Sequence, residues 1–387
     1  MRKNKKKSEN IKIIKYNLNN KEGNNKMENN IQENNSSKNN QTKKTPKLTI
    51  VALVYNLEKY LPRCLDALVN QTMQDIEILC VDDGSTDSAP QIIEEYAKKY
   101  PDKVKAFHKE NGGEFTTRNY GLERATGEYV TFVDTDDYVE STWAEKLYNT
   151  AKEYDADIAV CAFERIDLKT GKVVATDMTG FGHTCKKIVP DDDFMVFINP
   201  APWNKVYKRE KIKDLRFLPF RGFNDTMFLA SCFTKIDKIA FIPDVLYHYY
   251  LRYDSQIHTV NKQDVENLKK YLLEVKDLYI KENKYDSMRN ILDLMAFIHL
   301  GISVMYRASY DKSINIKQMI KETIKYLDEN FGSWRKNPFL TFRYSIKKGF
   351  KHIGLWGISI FYRLNMPMVF IHIYRFVVDK LKIDIKF

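Results

Sequence analysis

Short apolar, β-branched runs alternate with helical periodicity over residues 48–133. Residues 48–54 form an apolar, β-branched run with the composition of a strand that is buried on both faces, and 76–81, 104–108 and 129–133 are predicted to be three further strands. Apolar positions at helical spacing predict three helices among them: 57–70, 88–100 and 117–125. Strands that alternate with helices indicate βαβ units. We therefore predict an α/β fold in which helices flank a mainly parallel sheet.

The rest of the chain divides by composition. Residues 1–46 form a Lys/Asn-rich tract with almost no apolar residues, which predicts a disordered tail. Residues 47–260 hold the α/β domain. Apolar positions recur at helical spacing in residues 261–333, where we predict two or three packed helices. Residues 334–387 interleave 12 aromatic with 11 basic residues and are predicted to form a helical C-terminal extension.

The composition of residues 334–387 fits amphipathic helices that lie in a membrane interface. An ordinary helical cap of the domain is the alternative interpretation. No run of about 18 apolar residues occurs, so a transmembrane helix is not expected. The basic N-terminus is not followed by an apolar segment, so no secretory signal is expected either. These features predict a cytoplasmic protein that associates peripherally with the inner membrane face.

Two acidic clusters follow predicted strands. Asp82 and Asp83 follow the second strand, and Asp134-Thr135-Asp136 follows the fourth. The carboxyl ends of parallel strands meet at one edge of a sheet, and ligands bind beyond that edge. Two carboxylates two residues apart can direct one oxygen to a ribose and another to Mg²⁺ or Mn²⁺. Alone, such a triplet is more often a solvated turn, so its neighbours decide its meaning.

Further candidates lie between the two clusters. Asn111-Gly112-Gly113 offers a backbone that can approach a nucleotide closely. Arg118 and Asn119 come at a predicted helix start, where they can contact a donor phosphate or sugar. Together with the acidic clusters, these residues predict a nucleotide-diphosphate site that uses a divalent cation, Mn²⁺ or Mg²⁺.

Residues 48–140 closely resemble the donor-binding half of the family 2 glycosyltransferases, which have the GT-A fold. The resemblance runs through V-Y-N-x-E-K-Y-L at 54–61, N-Q-T at 70–72, V-D-D-G-S-T-D at 81–87, E-N-G-G at 110–113, R-N-x-G-L at 118–122 and A-T-G-E-Y-V-T-F-V-D-T-D-D at 125–137. It implies a GT-A domain that binds a nucleotide-sugar donor, in particular a UDP-sugar.

The resemblance also implies roles for single residues. Asp83 reads the base, Asp134 approaches the ribose and Asp136 binds the metal. The donor-binding residues that the matching motifs supply are Val54, Asn56, Asp82, Asp83, Gly112, Gly113, Arg118, Asn119, Asp134 and Thr135.

Two later segments resemble the acceptor side of the same family: P-W-N-K-V-Y at 202–207 and G-F-N-D at 222–225. In the family, the second acidic residue of a Glu-Asp pair is the catalytic base. Here the pair is Asn224-Asp225, so Asp225 keeps the base position while its neighbour has no charge. A helix N-cap is the alternative role for Asp225. Arg252 begins a segment that resembles a loop over the donor diphosphate, and it is predicted to contact phosphate.

Charge and cysteine content narrow the functional classes. The net charge is +11, but the basic residues concentrate at the two ends and the middle of the chain is acidic. An acidic body argues against a nucleic-acid-binding module, and it would need a cation to accept a diphosphate. The five cysteines are scattered without a C-x-x-C pair, so neither a zinc site nor a disulfide framework is indicated.

The sequence therefore predicts an inverting glycosyltransferase that moves a sugar from a nucleotide-sugar donor to a hydroxyl of a glycan or lipid-linked acceptor in cell-surface polysaccharide synthesis. The predicted partners include an anionic membrane surface and exclude nucleic acid. The alternative is a catalytically silent nucleotide-sugar-binding or scaffold protein of the same fold.

Overall fold

The computed structural model describes residues 45–219, 223–252 and 260–381, with side chains as far as Phe376. The predicted Lys/Asn tail lies, except for Thr45 and Pro46, outside the described residues. Most of the segment after Arg252 that was predicted to cover the donor also lies outside them.

The described residues form ten strands. They are β1 Leu48–Val54, β2 Ile76–Asp82, β3 Val104–His108, β4 Tyr129–Asp134, β5 Tyr138–Val139, β6 Ile158–Asp167, β7 Val173–Asp177, β8 Thr184–Lys187, β9 Lys205–Lys208 and β10 Lys238–Leu251.

The same residues form thirteen α-helices. They are α1 Leu61–Val69, α2 Ala89–Lys99, α3 Glu114–Arg124, α4 Trp143–Glu153, α5 Arg209–Ile212, α6 Asn224–Cys232, α7 Lys262–Lys281, α8 Tyr285–Ala296, α9 Met305–Ala308, α10 Ile316–Asn330, α11 Phe342–Lys348, α12 Phe350–Arg363 and α13 Pro367–Leu381. A π-helical stretch, Phe297–Val304, joins α8 to α9.

The strands form one sheet in the order β3-β2-β1-β4-β9-β6-β10-β5, with β7 on β6 and β8 on β10. The four strands predicted from the sequence are parallel to one another, and β1 and β2 are buried along their whole length. In the second half of the sheet, β9 runs antiparallel to β4 and β6, whereas β10 is parallel to β6. The predicted α/β class is confirmed, and the sheet is parallel in its first half and mixed in its second.

Helix α3 packs very closely on the central strand. A Cβ atom added at Gly121 would lie 2.2 Å from Cγ1 of Val51 on β1, closer than two carbon atoms can approach. Only glycine therefore permits this separation between helix and sheet. The contact sets the depth at which the first turn of α3 reaches the edge of the sheet.

The helices after residue 260 pack against the sheet domain. One hydrophobic cluster includes Phe132 of β4, Leu272 of α7 and Tyr362 of α12. The chain from Thr45 onward is accordingly one compact unit, and the predicted parts 47–260, 261–333 and 334–387 share a core.

One helical stretch among the described residues, Tyr285–Ala308, has the length and hydropathy of a bilayer span. However, 78% of its most apolar window is buried inside the protein. This burial is typical of a core helix. Three described helical segments therefore account for the periodicity of residues 261–333: α7, the continuous stretch from α8 to α9, and α10.

Candidate active site

The ends of the parallel strands bring the predicted acidic residues to one edge of the sheet. In the register of β1 with its neighbours, Val54 lies opposite Asp82 of β2, and Leu53 lies opposite Asp134 of β4. Asp82 in turn lies opposite His108 of β3. Both acidic clusters therefore stand at the carboxyl edge, which is where ligands of open α/β sheets bind.

Asp83 lies in a cradle made by the loop between β3 and α3. Its Oδ1 accepts from the backbone N–H of Gly112 at 2.9 Å, and its Oδ2 accepts from that of Gly113 at 2.8 Å. Lys109 Nζ pairs with Oδ1 of the same carboxylate. Gly113 has φ 87° and ψ 168°, a conformation that is essentially restricted to glycine. The structure thus brings together three predicted donor residues and adds a lysine to them.

Asn56 ties the loop after β1 to the loop after β2. Its φ is 51°, and its Oδ1 accepts from the backbone N–H of Thr86 at 2.8 Å. Its own N–H donates to Ser85 Oγ at 3.0 Å. The buried Asp82 accepts from the N–H of Ser85 at 3.0 Å and pairs with His108. Asn56 and Asp82 therefore hold the loops after β1 and β2 in place at the carboxyl edge of the sheet.

Arg118 connects the donor edge to the predicted base. Its side chain is 1% exposed, and its Nη1 lies 2.6 Å from Oδ1 of Asp225. Its Nη2 lies 3.4 Å from Oδ1 of Asp134, and Glu114 pairs with it from the preceding turn. The guanidinium also lies over the ring of Phe217, with its carbon 5.3 Å from the ring centre. One buried arginine therefore contacts three carboxylates.

Burial raises the pKa of both Asp134 and Asp225 above the usual range of an aspartate. Arg118 opposes the effect on each carboxyl group, whereas Glu114 adds to it through like-charge repulsion. The arrangement is suited to a group that must take up a proton near neutral pH, because a general base works best with a pKa close to the operating pH.

Asp225 is not an N-cap. Helix α6 begins at Asn224 with Phe223 in the cap position, so Asp225 belongs to the first turn. Its carboxylate is 26% exposed and faces Arg118. The predicted alternative, that this residue only caps the helix, does not describe its contacts.

Asp136 is surrounded by arginine. Arg252 Nη2 lies 3.2 Å from Oδ2 of Asp136, and Arg63 Nη2 donates to the backbone carbonyl of Asp136 at 2.8 Å. The next residue, Asp137, is buried and accepts from Tyr247 Oη at 2.8 Å. Asp137 therefore anchors the turn to β10, and the carboxylate of Asp136 stays at the site.

The described residues contain no group of three or more His, Cys, Asp or Glu side chains that could hold a metal ion. A closed metal cage built from protein ligands is thus not present in this part of the chain. The oxygen chemistry of Asp134 and Asp136 nevertheless fits Mg²⁺ or Mn²⁺, which are commonly held by one or two carboxylates together with substrate phosphates.

Two predicted donor-binding residues use their side chains within the protein. Thr135 is fully buried, and its hydroxyl donates to the carbonyl of Leu53 at 2.6 Å. Asn119 exchanges two hydrogen bonds of 2.8 Å with the backbone of Phe217. Thr135 therefore anchors the strand end from within the protein, and Asn119 holds the loop that carries the ring of Phe217 against Arg118.

Lys205 was not among the predicted site residues. It is fully buried, and its Nζ donates to the carbonyls of Asn199 and Ala201 at 2.6 and 2.7 Å and to Asn204 Oδ1 at 2.7 Å. Burial lowers its pKa to about 7, and the charge of Asp225 opposes that shift. Glu114, four residues before Arg118, was also missed, because the predicted helix began at residue 117, whereas the observed helix α3 begins at Glu114 and places the two side chains one turn apart.

Comparisons with known proteins identify the family of this chain. The family model described as "Glycosyl transferase family 2" matches residues 49–216. EpsH of Bacillus subtilis is 32% identical over 269 residues, which are 68% of this chain and 77% of EpsH. The poly(ribitol-phosphate) beta-glucosyltransferase of Bacillus spizizenii is 32% identical over 283 residues, which are 71% of this chain and 43% of that protein.

Among solved structures, S. aureus TarS 1–349 in complex with UDP has the same fold. It matches with a TM-score of 0.60 and 22% identity, over 85% of this chain and 91% of that one. The predicted GT-A architecture and the predicted family are both confirmed. The chain belongs to the family 2 glycosyltransferases.

Proposed function

We propose that this glycosyltransferase is a metal-dependent, inverting enzyme that transfers one sugar from a UDP-sugar to a hydroxyl of a glycan or lipid-linked acceptor. Its product would belong to a cell-surface polysaccharide. The observation that carries the proposal is that Arg118 contacts both Asp225 and Asp134. One guanidinium therefore joins the predicted base to the strand end where the donor is expected.

The donor is proposed to lie along the carboxyl edge between Asp83 and Asp134. Asp83 would accept from the N–H of the base, and its orientation is supported by the backbone donors of Gly112 and Gly113. A carboxylate has about four lone-pair positions, so it can accept from a ligand beside its internal donors. Uridine is favoured over other bases because TarS, which has the same fold, was solved in complex with UDP.

The diphosphate is proposed to lie near Asp136 and Arg252, whose side chains pair at 3.2 Å. Asp136, with Asp134 two residues away, would hold the Mn²⁺ or Mg²⁺ ion. Such an ion neutralises the charge that develops on a leaving diphosphate. Arg252 would contact a phosphate oxygen from the side of β10.

Asp225 is proposed to accept the proton of the acceptor hydroxyl. The acceptor oxygen then forms a bond to the anomeric carbon while the bond from that carbon to the diphosphate oxygen breaks. A single displacement of this kind inverts the anomeric configuration. Arg118 would keep Asp225 ionised before the reaction, since the guanidinium favours the charged form of a buried carboxylate.

The acceptor is proposed to reach the enzyme at the cytoplasmic face of the membrane. A relative of 32% identity is named as a poly(ribitol-phosphate) beta-glucosyltransferase, so its named acceptor is a polymer that carries hydroxyl groups. The shared family supports only a hydroxyl on a glycan or lipid-linked molecule.

Nucleotide release by the purified full chain tests the proposal. We would incubate it with a panel of UDP- and GDP-sugars in Mn²⁺ or in EDTA, beside the Asp136→Ala variant. Asp102→Ala, which removes an exposed carboxylate outside the site, is the matched control. The proposal expects slow, metal-dependent hydrolysis of one UDP-sugar that is lost in Asp136→Ala and kept in Asp102→Ala.

Calorimetry separates the two ways in which hydrolysis can fail. Metal-dependent binding of a UDP-sugar without turnover on any acceptor would favour the silent nucleotide-sugar-binding protein. If no nucleotide sugar bound to the protein, the assignment of the donor site would be overturned.

A further inference from the structure

The corner between α11 and α12 is an unusual surface of this molecule. Helix α11 ends at Lys348 and α12 begins at Phe350, so Gly349 alone separates them. Phe350 stands at the corner and is 82% exposed, more than any other exposed large hydrophobic side chain of the described residues. An aromatic ring this exposed contributes little apolar burial to the stability of the folded chain.

Other apolar side chains surround Phe350. Phe342 and Ile346 are four residues apart on α11 and are 52% and 53% exposed. Ile353, three residues after Phe350 on α12, is 37% exposed. Of the fourteen exposed large hydrophobics among the described residues, nine lie between Phe342 and Phe376. Single exposed apolar residues are ordinary, but a concentration of them marks an interaction surface.

The charged side chains that α11 and the first turn of α12 carry are all basic. Arg343, Lys347 and Lys351 are exposed beside the apolar side chains. The sequence contains no Asp or Glu between Trp334 and Val378. Lys348 is the exception among the basic residues, because it pairs with Asp192 at 3.3 Å. Apolar side chains and basic side chains without an acidic partner on these two helices are therefore exposed together at this corner.

The corner is held rigidly by the rest of the protein. Tyr344 Oη donates to Oδ1 of Asp193 at 2.8 Å, and His352 Nε2 lies 3.1 Å from Oδ2 of the same buried carboxylate. On the inner side of α12, Leu355 and Tyr362 are buried in the core. The exposure of Phe350 is therefore a property of the folded protein and not of a loosely attached helix.

We infer that this docking corner, made of Phe342, Ile346, Phe350 and Ile353 with Arg343, Lys347 and Lys351, inserts its apolar side chains into an anionic lipid bilayer. Apolar side chains bordered by Lys and Arg are the pattern of helices that lie in a membrane interface. The basic side chains are drawn to anionic headgroups, and the apolar ones enter the acyl boundary. Protein–protein interfaces are depleted in lysine, whereas two of the three basic side chains here are lysines.

The position of the docking corner relates membrane attachment to the acceptor. This part of the inference rests on the proposed function. The ring of His352 lies 4.6 Å from that of Phe197. Asn199 follows Phe197 by two residues. Its backbone carbonyl accepts a hydrogen bond from the buried Lys205, which lies near the predicted base. His352, between the docking-corner residues Lys351 and Ile353, thus contacts the chain segment that leads to the predicted acceptor-side motif at 202–207. Attachment to a bilayer would present that side to an acceptor carried by the membrane.

Flotation of the full chain with vesicles tests the inference. The vesicles contain phosphatidylglycerol mixed with phosphatidylcholine, or phosphatidylcholine alone. The double variant Ile346→Asp with Phe350→Asp should bind anionic vesicles at least about ten-fold more weakly than the wild type. The matched control is Val173→Asp with Val174→Asp, which alters two side chains of 50% and 54% exposure on β7 and should float like the wild type.

Two further measurements separate charge from insertion. Replacing Arg343, Lys347 and Lys351 by Gln should remove the preference for anionic vesicles. The variant Phe350→Trp should bind normally and show a blue-shifted emission that brominated lipid quenches. Donor hydrolysis in the absence of vesicles should be unchanged in all these variants, so a failure of the donor chemistry would be recognised separately.

Wild-type flotation of the Ile346→Asp, Phe350→Asp variant would overturn the inference and locate attachment elsewhere, for example in residues 1–46. A variant that converts a dimer to a monomer in light scattering, with vesicle binding unchanged, would overturn it in favour of a contact between two copies of the chain.

Discussion

Arg118 Nη1 lies 2.6 Å from Oδ1 of Asp225, across 107 positions of sequence. This ion pair unites the helix that follows the donor loop with the helix that carries the predicted base. It also limits the basicity of Asp225, because a guanidinium favours the ionised carboxylate. The remaining effect of burial keeps the pKa of Asp225 raised. The pair therefore sets both the position of the proposed base and the pKa at which it would accept a proton.

We expect Arg118→Lys to lower kcat by about 10²-fold, because a general base that loses its orientation loses most of its contribution. Lysine keeps the charge but cannot hold Asp225 and Asp134 with one planar group. Steady-state kinetics with thermal unfolding separates the effects. A buried ion pair that loses a partner costs about 3–5 kcal/mol, so the lysine variant is preferable to Arg118→Ala. Normal kcat in a folded Arg118→Lys protein would contradict the positioning role.

Asp225→Asn should reduce transfer by about 10²–10⁴-fold and leave donor binding intact, because the amide cannot accept the proton of the acceptor hydroxyl. Turnover and calorimetric binding of the UDP-sugar are measured on the same preparation. Asp214→Asn, at an exposed carboxylate between α5 and α6, is the control. Equal turnover by both variants would remove Asp225 from the mechanism.

The pH dependence of kcat should have an acid limb above the usual range of an aspartate. Burial raises the pKa of Asp225 and of Asp134, so the active, ionised base is lost as the pH falls through those raised values. The limb belongs to the coupled pair and not to one residue. Lys205→Met should move it to higher pH, because the positive charge of Lys205 lowers the pKa of Asp225. An unmoved limb would exclude that coupling.

Asp136→Ala should abolish the effect of Mn²⁺ on donor affinity. In the wild type, EDTA should weaken UDP-sugar binding, since the diphosphate then faces Asp134 and Asp136 without a bridging cation. In the variant, binding should be weak and equal in Mn²⁺ and EDTA. Calorimetry measures both proteins in both conditions. A variant that still responds to Mn²⁺ would show that the metal is held elsewhere.

Gly113→Ala should destabilise the protein by about 1–3 kcal/mol, because its φ and ψ are essentially available only to glycine. The variant should also bind UDP more weakly, since the N–H of Gly113 orients Asp83. Denaturant unfolding and calorimetry measure the two effects. Gly180→Ala is the control, because its φ is not positive and an added Cβ would meet nothing within 4 Å. Equal results for the two variants would exclude the cradle as a determinant of donor binding.

The sequence predicted the first half of the sheet well. The runs at β1, β2 and β4 are apolar because those strands are buried, and acidic clusters follow β2 and β4. Strands β5 to β10 were not predicted. β10 contains Pro243 and shifts register after Ile242 and after Val245, which interrupts the alternation that reveals a strand. β5 has only two residues and depends on its pairing with β10.

The sequence predicted which residues form the site better than it predicted the contacts between them. Asp83, Gly112 and Gly113 were predicted as separate donor contacts, but their hydrogen bonds to one another could not be derived from spacing. The hydroxyl of Thr135 faces a carbonyl 82 positions away, so its burial depends on the fold as a whole. Lys205 lies within the P-W-N-K-V-Y segment, but its burial could not be predicted, because a lysine is normally assigned to the surface.

The missing methyl group at Gly121 has a consequence for catalysis. Gly121 and Arg118 are three residues apart on α3, so they share one face of the helix. The contact with Val51 fixes how far that face lies from β1. The distance between α3 and β1 therefore determines how far the guanidinium of Arg118 extends toward Asp134 and Asp225. No residue of the site sets that distance. A side chain at position 121 would therefore be expected to displace Arg118, although Gly121 itself carries no functional group.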